Sequence, residues 1–166
     1  MKSSFLQELD WRGLINNTTP FTKTYFNEKE LVAGYIGFDP TAPSLHVGNL
    51  CTIMLLVHLQ RAGHKPIVLL GGYTGGIGDP AGKQNERKLL SSETVNTNLE
   101  NLKNQFYKLL DFNCGLNSAE IVDNNDWLSQ ISMSDFLREV GKHFNVSYMI
   151  AKDSVKSRLE KGLSYT

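Results

Sequence analysis

The sequence lacks the features of several protein classes. Two cysteines, Cys51 and Cys114, are too few for a disulfide scaffold and are not spaced as metal ligands. We expect both to be buried as small apolar side chains. No apolar run approaches the roughly 20 residues that span a bilayer, and the N-terminus has no hydrophobic signal-peptide block. These absences favour a chain of the reducing cytoplasm with no membrane partner.

An excess of charge of either sign is also absent. The sequence has 17 Lys and Arg and 17 Asp and Glu, so its formal net charge is zero. This balance excludes a polybasic arm for nucleic acid, and we expect no DNA partner. With 40% hydrophobic and 20% charged residues, the composition is that of an ordinary globular protein. The length suits one domain of about 100–200 residues or a piece of a longer protein.

The residue pattern predicts a strand, a helix and a second strand in the first half of the chain. Ala33–Phe38 is rich in aromatic and β-branched residues and is followed by a breaker-rich turn. A helix is predicted over 45–62, with Ser44 as its N-cap and Gly63 as its stop. The apolar run 66–70 is typical of a strand buried on both faces. These elements indicate an α/β fold with a parallel sheet and flanking helices.

The remaining elements follow from the same signals. They are short helices over 5–12 and 27–31, a glycine-rich loop over 71–82, a long helix over 92–110, a third strand over 120–122 and further helical segments after 128. The chain ends without a terminal breaker or charged tail, which we interpret as a truncation.

The turn after the first predicted strand is the first candidate site. His46 and Asn49 are three residues apart and would share one face near the N-terminus of the helix. Free backbone N–H groups and the helix dipole favour anions there, and Gly48 would let a flat ligand approach the backbone. A solvated helix start with a surface histidine explains the same residues, so both interpretations remain open.

The glycine-rich loop after the second strand is the second candidate site. It nearly matches a dinucleotide-binding pattern and a P-loop, but Pro80 interrupts the expected helix and Gln84 stands where a P-loop has Ser or Thr. A carboxylate, Asp79, remains, with Lys83 and Arg87 four residues apart just beyond it. These cations would hold a polyphosphate or form a solvated basic face.

Motifs along nearly the whole chain resemble those of bacterial tyrosyl-tRNA synthetases. They occur in order and at family spacing as YIGFDPTA (35–42), SLHVGNL (44–50), GHKP (63–66), GDPAGK (78–83), NNDW (124–127) and FLREVGKHF (136–144). A single short motif would indicate only the wider nucleotidyl-transferase superfamily, whereas the ordered set is specific. The resemblance implies the N-terminal part of a catalytic domain, with a Rossmann-like nucleotide-binding fold that is incomplete at the C-terminus.

The resemblance implies a class I ligase that activates L-tyrosine with ATP and transfers the tyrosyl group to tRNA(Tyr). The attacking carboxylate comes from the substrate, so the protein must chiefly stabilise charge on the phosphates. ATP, with its Mg²⁺, would be a substrate, and no tightly bound cofactor is expected. The implied partners are L-tyrosine, ATP, tRNA(Tyr) and, in a cytoplasmic homodimer, a second copy of the chain.

The resemblance also implies roles for particular residues. Contacts with the departing pyrophosphate are implied for Thr41, His46, Lys83 and Arg87. Binding of ATP or the adenylate is implied for Asp39, Gly48, Asn49 and Thr52. Binding of tyrosine is implied for Tyr35, Gly37, Asp79 and Asn124. Asn49 replaces the second histidine of the family motif; it can still bond a ribose but cannot titrate.

The resemblance divides the chain into three segments. These are an N-terminal helical segment (1–32), the first half of the catalytic domain (33–123) and a truncated helical connecting and dimer-interface segment (124–166). The family's second tyrosine-binding segment, K-M-S-K-S-like loop and tRNA-binding region would lie further on. The 166 residues alone are therefore expected to be inactive.

Three alternatives remain. A non-catalytic synthetase-like binding module is disfavoured because it would have no physical need for Thr41, His46, Gly48 and Asp79. A relative of tryptophanyl-tRNA synthetase is disfavoured by Tyr35 and Asp79, which suit a phenol-bearing substrate. A plain α/β nucleotide-binding domain is disfavoured by the full ordered set of motifs.

Overall fold

In the computed structural model, which describes residues 4–77 and 90–159, three parallel strands form a sheet. The strands are β1 (Ala33–Phe38), β2 (Lys65–Leu70) and β3 (Glu120–Asp123), and they are adjacent in that order. Tyr35 lies opposite Ile67, which in turn lies opposite Glu120. Parallel neighbours require a crossover connection, so the predicted strand–helix–strand unit and the α/β fold class are confirmed.

Helices precede, connect and follow the strands. They are α1 (Phe5–Trp11), α2 (Thr22–Glu28), α3 (Val47–Arg61), α4 (Ser92–Phe106), α5 (Asn125–Leu128), α6 (Met133–Asp135), α7 (Val146–Ile150) and α8 (Asp153–Leu159). A 3₁₀ turn follows β2 at Thr74–Gly76, and a π turn (Phe136–Val140) and a 3₁₀ turn (Gly141–His143) separate α6 from α7. Among the described residues, no helix is both long and apolar enough to cross a membrane.

The hydrophobic core lies between one face of the sheet and the helices α3 and α4. Its buried members include Phe38, Ile53, Leu56, Val68, Leu70, Leu99, Leu102 and Phe106. The rings of Phe38 and Phe106 have centroids 4.9 Å apart. In β2 the residues alternate between buried and half-buried. The prediction that β2 is buried on both faces is therefore wrong for these residues, because only one face packs into this core.

The second helix begins and ends earlier than the predicted 27–31, at Thr22–Glu28. Residues just beyond it are extended because they join the sheet. The Val32 carbonyl accepts a hydrogen bond from the Lys65 N–H (2.9 Å), and the Val32 N–H donates to His64 Nδ1 (3.3 Å). These contacts join residues distant in sequence, which explains why the local charge pattern predicted the wrong boundaries.

Both cysteines are exposed free thiols, so the prediction that they are buried is wrong. Cys51 lies on the outer side of α3, whereas Ile53, two residues further along, is buried in the core. Cys114 lies in the turn after α4. Here the Gln60 side-chain amide donates to the Asp111 carbonyl (2.6 Å), and the Gln60 side-chain oxygen accepts from the Asp111 N–H (3.0 Å).

Two buried histidines contact the N-terminal segment. The ring of Phe26 meets that of His64 edge-on, with centroids 5.2 Å apart, while His64 Nδ1 accepts the Val32 hydrogen bond. His58 of α3 has its Nδ1 3.9 Å from the Glu8 carboxylate on α1. Burial lowers the pKa of His64, and it also lowers the pKa of His58 although Glu8 opposes the shift. The neutral rings therefore fit their places better than charged ones.

We predict that His64→Asn makes the fold less sensitive to acid. The folded-state pKa of His64 lies below the unfolded value of about 6.5, so the unfolded chain binds more protons and stability falls as the pH drops below about 6.5. The Asn oxygen can accept the Val32 N–H bond but does not titrate. Between about pH 7.5 and 5.5, the free energy of unfolding in urea should fall less in the variant, by up to about 1.4 kcal/mol.

The control is His143→Asn, the same substitution at an exposed histidine. If His64→Asn and the unaltered protein lose the same free energy of unfolding on acidification, the contribution assigned to His64 is wrong.

Candidate functional site

The N-terminus of α3 carries a reciprocal pair of hydrogen bonds. His46 Nδ1 accepts from the Asn49 N–H (3.2 Å), and the Asn49 side-chain oxygen accepts from the His46 N–H (3.0 Å). His46, rather than the predicted Ser44, is therefore the N-cap. The reciprocal bond needs an acceptor side chain three residues after the cap. Asn49 provides one for His46, whereas Val47 cannot provide one for Ser44.

This capping box fixes the orientation of the His46 ring. Because Nδ1 accepts a hydrogen bond, a neutral ring carries its proton on Nε2, and the Nε2–H is the ring donor that remains for a ligand. A Cβ on Gly48 would lie 2.9 Å from His46 Cε1, so glycine makes room for the imidazole. The sequence pattern had indicated room for a ligand at Gly48; the structure adds this packing reason.

A pocket of about 200 Å³ lies beside the cap, at the carboxyl end of β1. It brings together five of the predicted site residues: Gly37, Asp39, Thr41, His46 and Asn49. A threonine hydroxyl, an imidazole N–H and the free N–H groups of a helix N-terminus are all donors that suit a phosphate. These donors can stabilise negative charge in the pocket, which the Asp39 carboxylate also lines.

A second set of contacts links the carboxyl ends of the three strands. The Thr74 hydroxyl, just after β2, donates to the Asp39 carboxylate after β1 (3.2 Å). The same hydroxyl oxygen accepts from the side-chain amide of Asn124 after β3 (3.0 Å), and the Asn124 oxygen accepts from the Tyr73 N–H (2.9 Å). One hydroxyl thus both donates and accepts.

Two glycines after β2 permit these close approaches. A Cβ on Gly71 would collide with the Asp39 carboxylate, and one on Gly72 would collide with the carboxylate of Asp123. The Gly72 N–H donates to Asp123 Oδ1 (3.0 Å). Sequence analysis missed Thr74 and Asp123 as part of the site. Their position at or just after strand ends, where parallel sheets bind ligands, is the signal that could have found them.

Tyr35 lies apart from the small pocket. It is 69% exposed and lies on the same strand face as Gly37, two residues further along. It borders a larger, mainly apolar cavity of about 550 Å³ between β1 and the N-terminal helices, with Phe21 and Tyr25 among its other lining residues. Tyr35 on β1 and His46 at the start of α3 therefore line different cavities.

The other predicted site residues have different settings. Asn124 is buried, and its amide is engaged by Thr74 and by the Tyr73 N–H. Thr52 is exposed one turn into α3, where its hydroxyl donates to the Asn49 carbonyl (2.8 Å). Three further predicted residues lie outside the described residues: Asp79, Lys83 and Arg87.

Comparisons with known proteins identify the family of this chain. Residues 27–166 match the family model of class I tRNA synthetases (W and Y). The tyrosine–tRNA ligase of Cytophaga hutchinsonii is 53% identical over 163 residues, which cover 98% of this chain and 38% of that relative. The tyrosine–tRNA ligase of Bacteroides thetaiotaomicron is 53% identical over 168 residues, covering 98% of this chain and 39% of that relative.

A solved structure has the same fold along nearly the whole chain. The crystal structure of a C-terminally truncated mitochondrial tyrosyl-tRNA synthetase from Aspergillus nidulans superposes with a TM-score of 0.87 at 29% identity. The match covers 99% of this chain and 50% of that one. This chain thus spans well under half the length of the curated relatives named above. The family match, together with the fold, confirms the resemblance seen in the motifs: the chain belongs to the class I tRNA synthetases (W and Y).

Proposed function

We propose that the protein carrying this chain activates L-tyrosine with ATP and transfers the tyrosyl group to tRNA(Tyr). The observation that carries the proposal is the capped His46 at the start of α3, beside a pocket that also contains Thr41. The names of the relatives, tyrosine–tRNA ligases, favour tyrosine over tryptophan as the amino acid.

The chemistry of adenylate formation needs little more from the protein than positioned donors. A carboxylate oxygen of tyrosine attacks the α-phosphorus of ATP, and the bond from that phosphorus to the pyrophosphate oxygen breaks. The leaving pyrophosphate carries away the bonding electron pair, so negative charge grows on its oxygens. We assign the Thr41 hydroxyl and the His46 Nε2–H to that charge, with the positive end of the α3 dipole beside them.

The adenosine part of ATP is assigned to the same end of α3. The Asn49 oxygen is engaged by the His46 N–H, which leaves the amide NH₂ of Asn49 for a ribose hydroxyl. Thr52, one turn further along the helix, and Gly48 are assigned to the same ligand. Asp39, whose carboxylate is held by Thr74, completes this group.

The tyrosine substrate is assigned to the face of β1 that carries Tyr35 and Gly37. A Cβ on Gly37 would meet nothing within 4 Å, so there is open space beside Tyr35 on this face. We assign the Tyr35 hydroxyl to the substrate phenol and Asn124 to the same subsite. The family motif further assigns Asp79 to the substrate ammonium group.

The remaining assignments concern the pyrophosphate and its metal. Lys83 and Arg87, which lie outside the described residues, are assigned to pyrophosphate on the family motif. Mg²⁺ arrives with ATP as part of the substrate and is held mainly by the phosphates.

We further propose a cytoplasmic homodimer. Exposed apolar side chains are concentrated in the helical segment after β3, as expected of an interface. They include Met133, Phe136, Leu137, Phe144, Val146 and Met149. We accordingly keep the division into residues 1–32, 33–123 and 124–166, with the last segment facing the partner. Sedimentation of the full-length protein tests this arrangement.

The decisive experiment is amino-acid-dependent ATP–pyrophosphate exchange. It compares the 166-residue chain with the protein extended by its native downstream residues, and it tests tyrosine, tryptophan and phenylalanine side by side. We expect exchange with tyrosine, in the extended protein alone. Exchange with tryptophan instead would identify a tryptophanyl relative. If a folded extended protein shows no exchange, the enzymatic proposal fails and a binding module is favoured.

We predict that His46→Asn in the extended protein lowers kcat for exchange by about 10²-fold, because one donor to the developing charge is lost. The Asn oxygen occupies the place of Nδ1 and can still cap α3, so the helix should remain intact. The KM for tyrosine should change little. Steady-state exchange kinetics, with a thermal melt of each variant, measure these effects.

The control is Asn104→Ala, at an exposed residue of α4 with no assigned role. It should show the same ATP–pyrophosphate exchange as the unaltered protein. Retention of full kcat in a folded His46→Asn variant would remove His46 from the proposed chemistry.

We predict that Tyr35→Phe weakens the preference for tyrosine over phenylalanine by about tenfold. The variant loses one hydrogen bond to the substrate phenol, which contributes about 1 kcal/mol or somewhat more. The ratio of kcat/KM for the two amino acids measures the change. Tyr25→Phe, at the other exposed tyrosine beside the same cavity, is the control. An unchanged ratio in Tyr35→Phe would contradict the assigned contact.

A further inference from the structure

Two polar side chains of α4 hold the two ends of the loop that joins β1 to α3 and carries Thr41. The Asn98 amide donates to the Pro40 carbonyl (2.9 Å), and the Gln105 side-chain oxygen accepts from the Leu45 N–H (3.1 Å). Asn98 and Gln105 are seven residues apart, which is about two helical turns, so they lie on one face of α4. A single helix therefore holds the loop from both ends.

The Asn98 side chain is a polar group buried beside the hydrophobic core. It is only 4% exposed, and its neighbours on α4, Leu99 and Leu102, belong to the hydrophobic core. An amide in such a place costs free energy unless it is hydrogen-bonded. The bond to the Pro40 carbonyl offsets that cost, which makes this contact a specific one.

The Gln105 side chain is held at both of its polar atoms. Its oxygen accepts the Leu45 N–H, and its amide donates to the Asn101 carbonyl (3.2 Å) on the preceding turn of α4. Because the second bond ties the side chain to its own helix, the acceptor presented to Leu45 has little rotational freedom.

Each of the two loop residues that α4 contacts is next to a residue that we assign to the pyrophosphate. Pro40 directly precedes Thr41, and Leu45 directly precedes His46. The loop also contains Pro43, and proline has no N–H with which to stabilise the loop from within. The contacts from α4 therefore help to hold the chain beside Thr41 and His46, while the capping box orients the His46 ring itself.

We propose that Asn98 and Gln105 are positioning residues for adenylate formation. By holding the two ends of the loop, they keep the Thr41 hydroxyl and the His46 Nε2–H in place while charge develops on the pyrophosphate. A misplacement of about 1 Å in such a site costs about 10²-fold in rate. That these residues affect adenylate formation rests on the proposed function, whereas their positioning role rests on the geometry of the loop.

The test uses Asn98→Leu and Gln105→Met in the extended protein, because each replaces a polar side chain with an apolar one of similar size. We expect kcat for tyrosine-dependent exchange to fall about tenfold in each variant and about 10²-fold in the double variant. The KM for tyrosine should stay within about twofold, since Tyr35 lies on β1 and not in the loop that α4 holds. A loss of overall folding would not separate kcat from KM in this way.

Two variants of α4 are matched controls. Gln105→Glu keeps an oxygen that can accept the Leu45 N–H but loses the donor to the Asn101 carbonyl, so it should restore part of the activity that Gln105→Met loses. Asn104→Leu changes an exposed residue of the same helix and should show the same ATP–pyrophosphate exchange as the unaltered protein. Full kcat in folded Asn98→Leu and Gln105→Met, or an equal loss in Gln105→Glu, would overturn the proposal.

Amide hydrogen exchange separates this inference from the proposed function. The Leu45 amide should exchange about tenfold faster or more in Gln105→Met than in the unaltered protein and in Gln105→Glu, because its acceptor is gone. Equal rates would overturn the positioning role even if tyrosine activation is observed. Faster exchange in a protein whose unaltered form activates no amino acid would show that the loop is held as described while the assigned reaction is wrong.

Discussion

The geometry of the site depends on the hydrogen bonds of the Thr74 hydroxyl. It donates to Asp39 and accepts from Asn124, and so it links the carboxyl ends of β1, β2 and β3 through one atom. A Cβ at Gly71 would collide with the Asp39 carboxylate and the Thr74 hydroxyl, so glycine leaves room for these two groups to meet. Since Asp39 begins the loop that leads to α3, the start of that loop is tied to the sheet before any ligand arrives.

Other hydrogen bonds hold the rest of this loop. The α4 side chains hold it at Pro40 and at Leu45, and the capping box then fixes the His46 ring at the start of α3. The result is a set of donors whose positions are decided by hydrogen bonds and packing in the protein itself. Such preorganisation suits a reaction in which the substrates supply the nucleophile and the leaving group, because stabilisation of charge then depends on where the donors lie.

Much of the fold could be predicted because its signals are local. Alternating and helical patterns located β1, α3, α4 and β3 to within a few residues. The errors share a physical cause. The predicted bounds of α2 were wrong because Val32, shortly after this helix, is extended and pairs with Lys65. The predicted burial of the cysteines was wrong because tertiary packing decides which side of α3 and which residues of the turn after α4 are exposed. The N-cap at His46 is a local feature, and the asparagine three residues later would have identified it.

The sequence by itself determined the family, the order of the elements and the spacing of the residues that we assign to ATP. Those properties depend on spacing along a strand, a turn and the first turn of a helix, where neighbours in sequence are neighbours in space. Only the tertiary structure decided the roles of Thr74, Asn98 and Gln105. Their bonds to the loop join residues between 35 and 60 positions apart, and no local pattern encodes which side chains will meet at such separations once the sheet and α4 have packed.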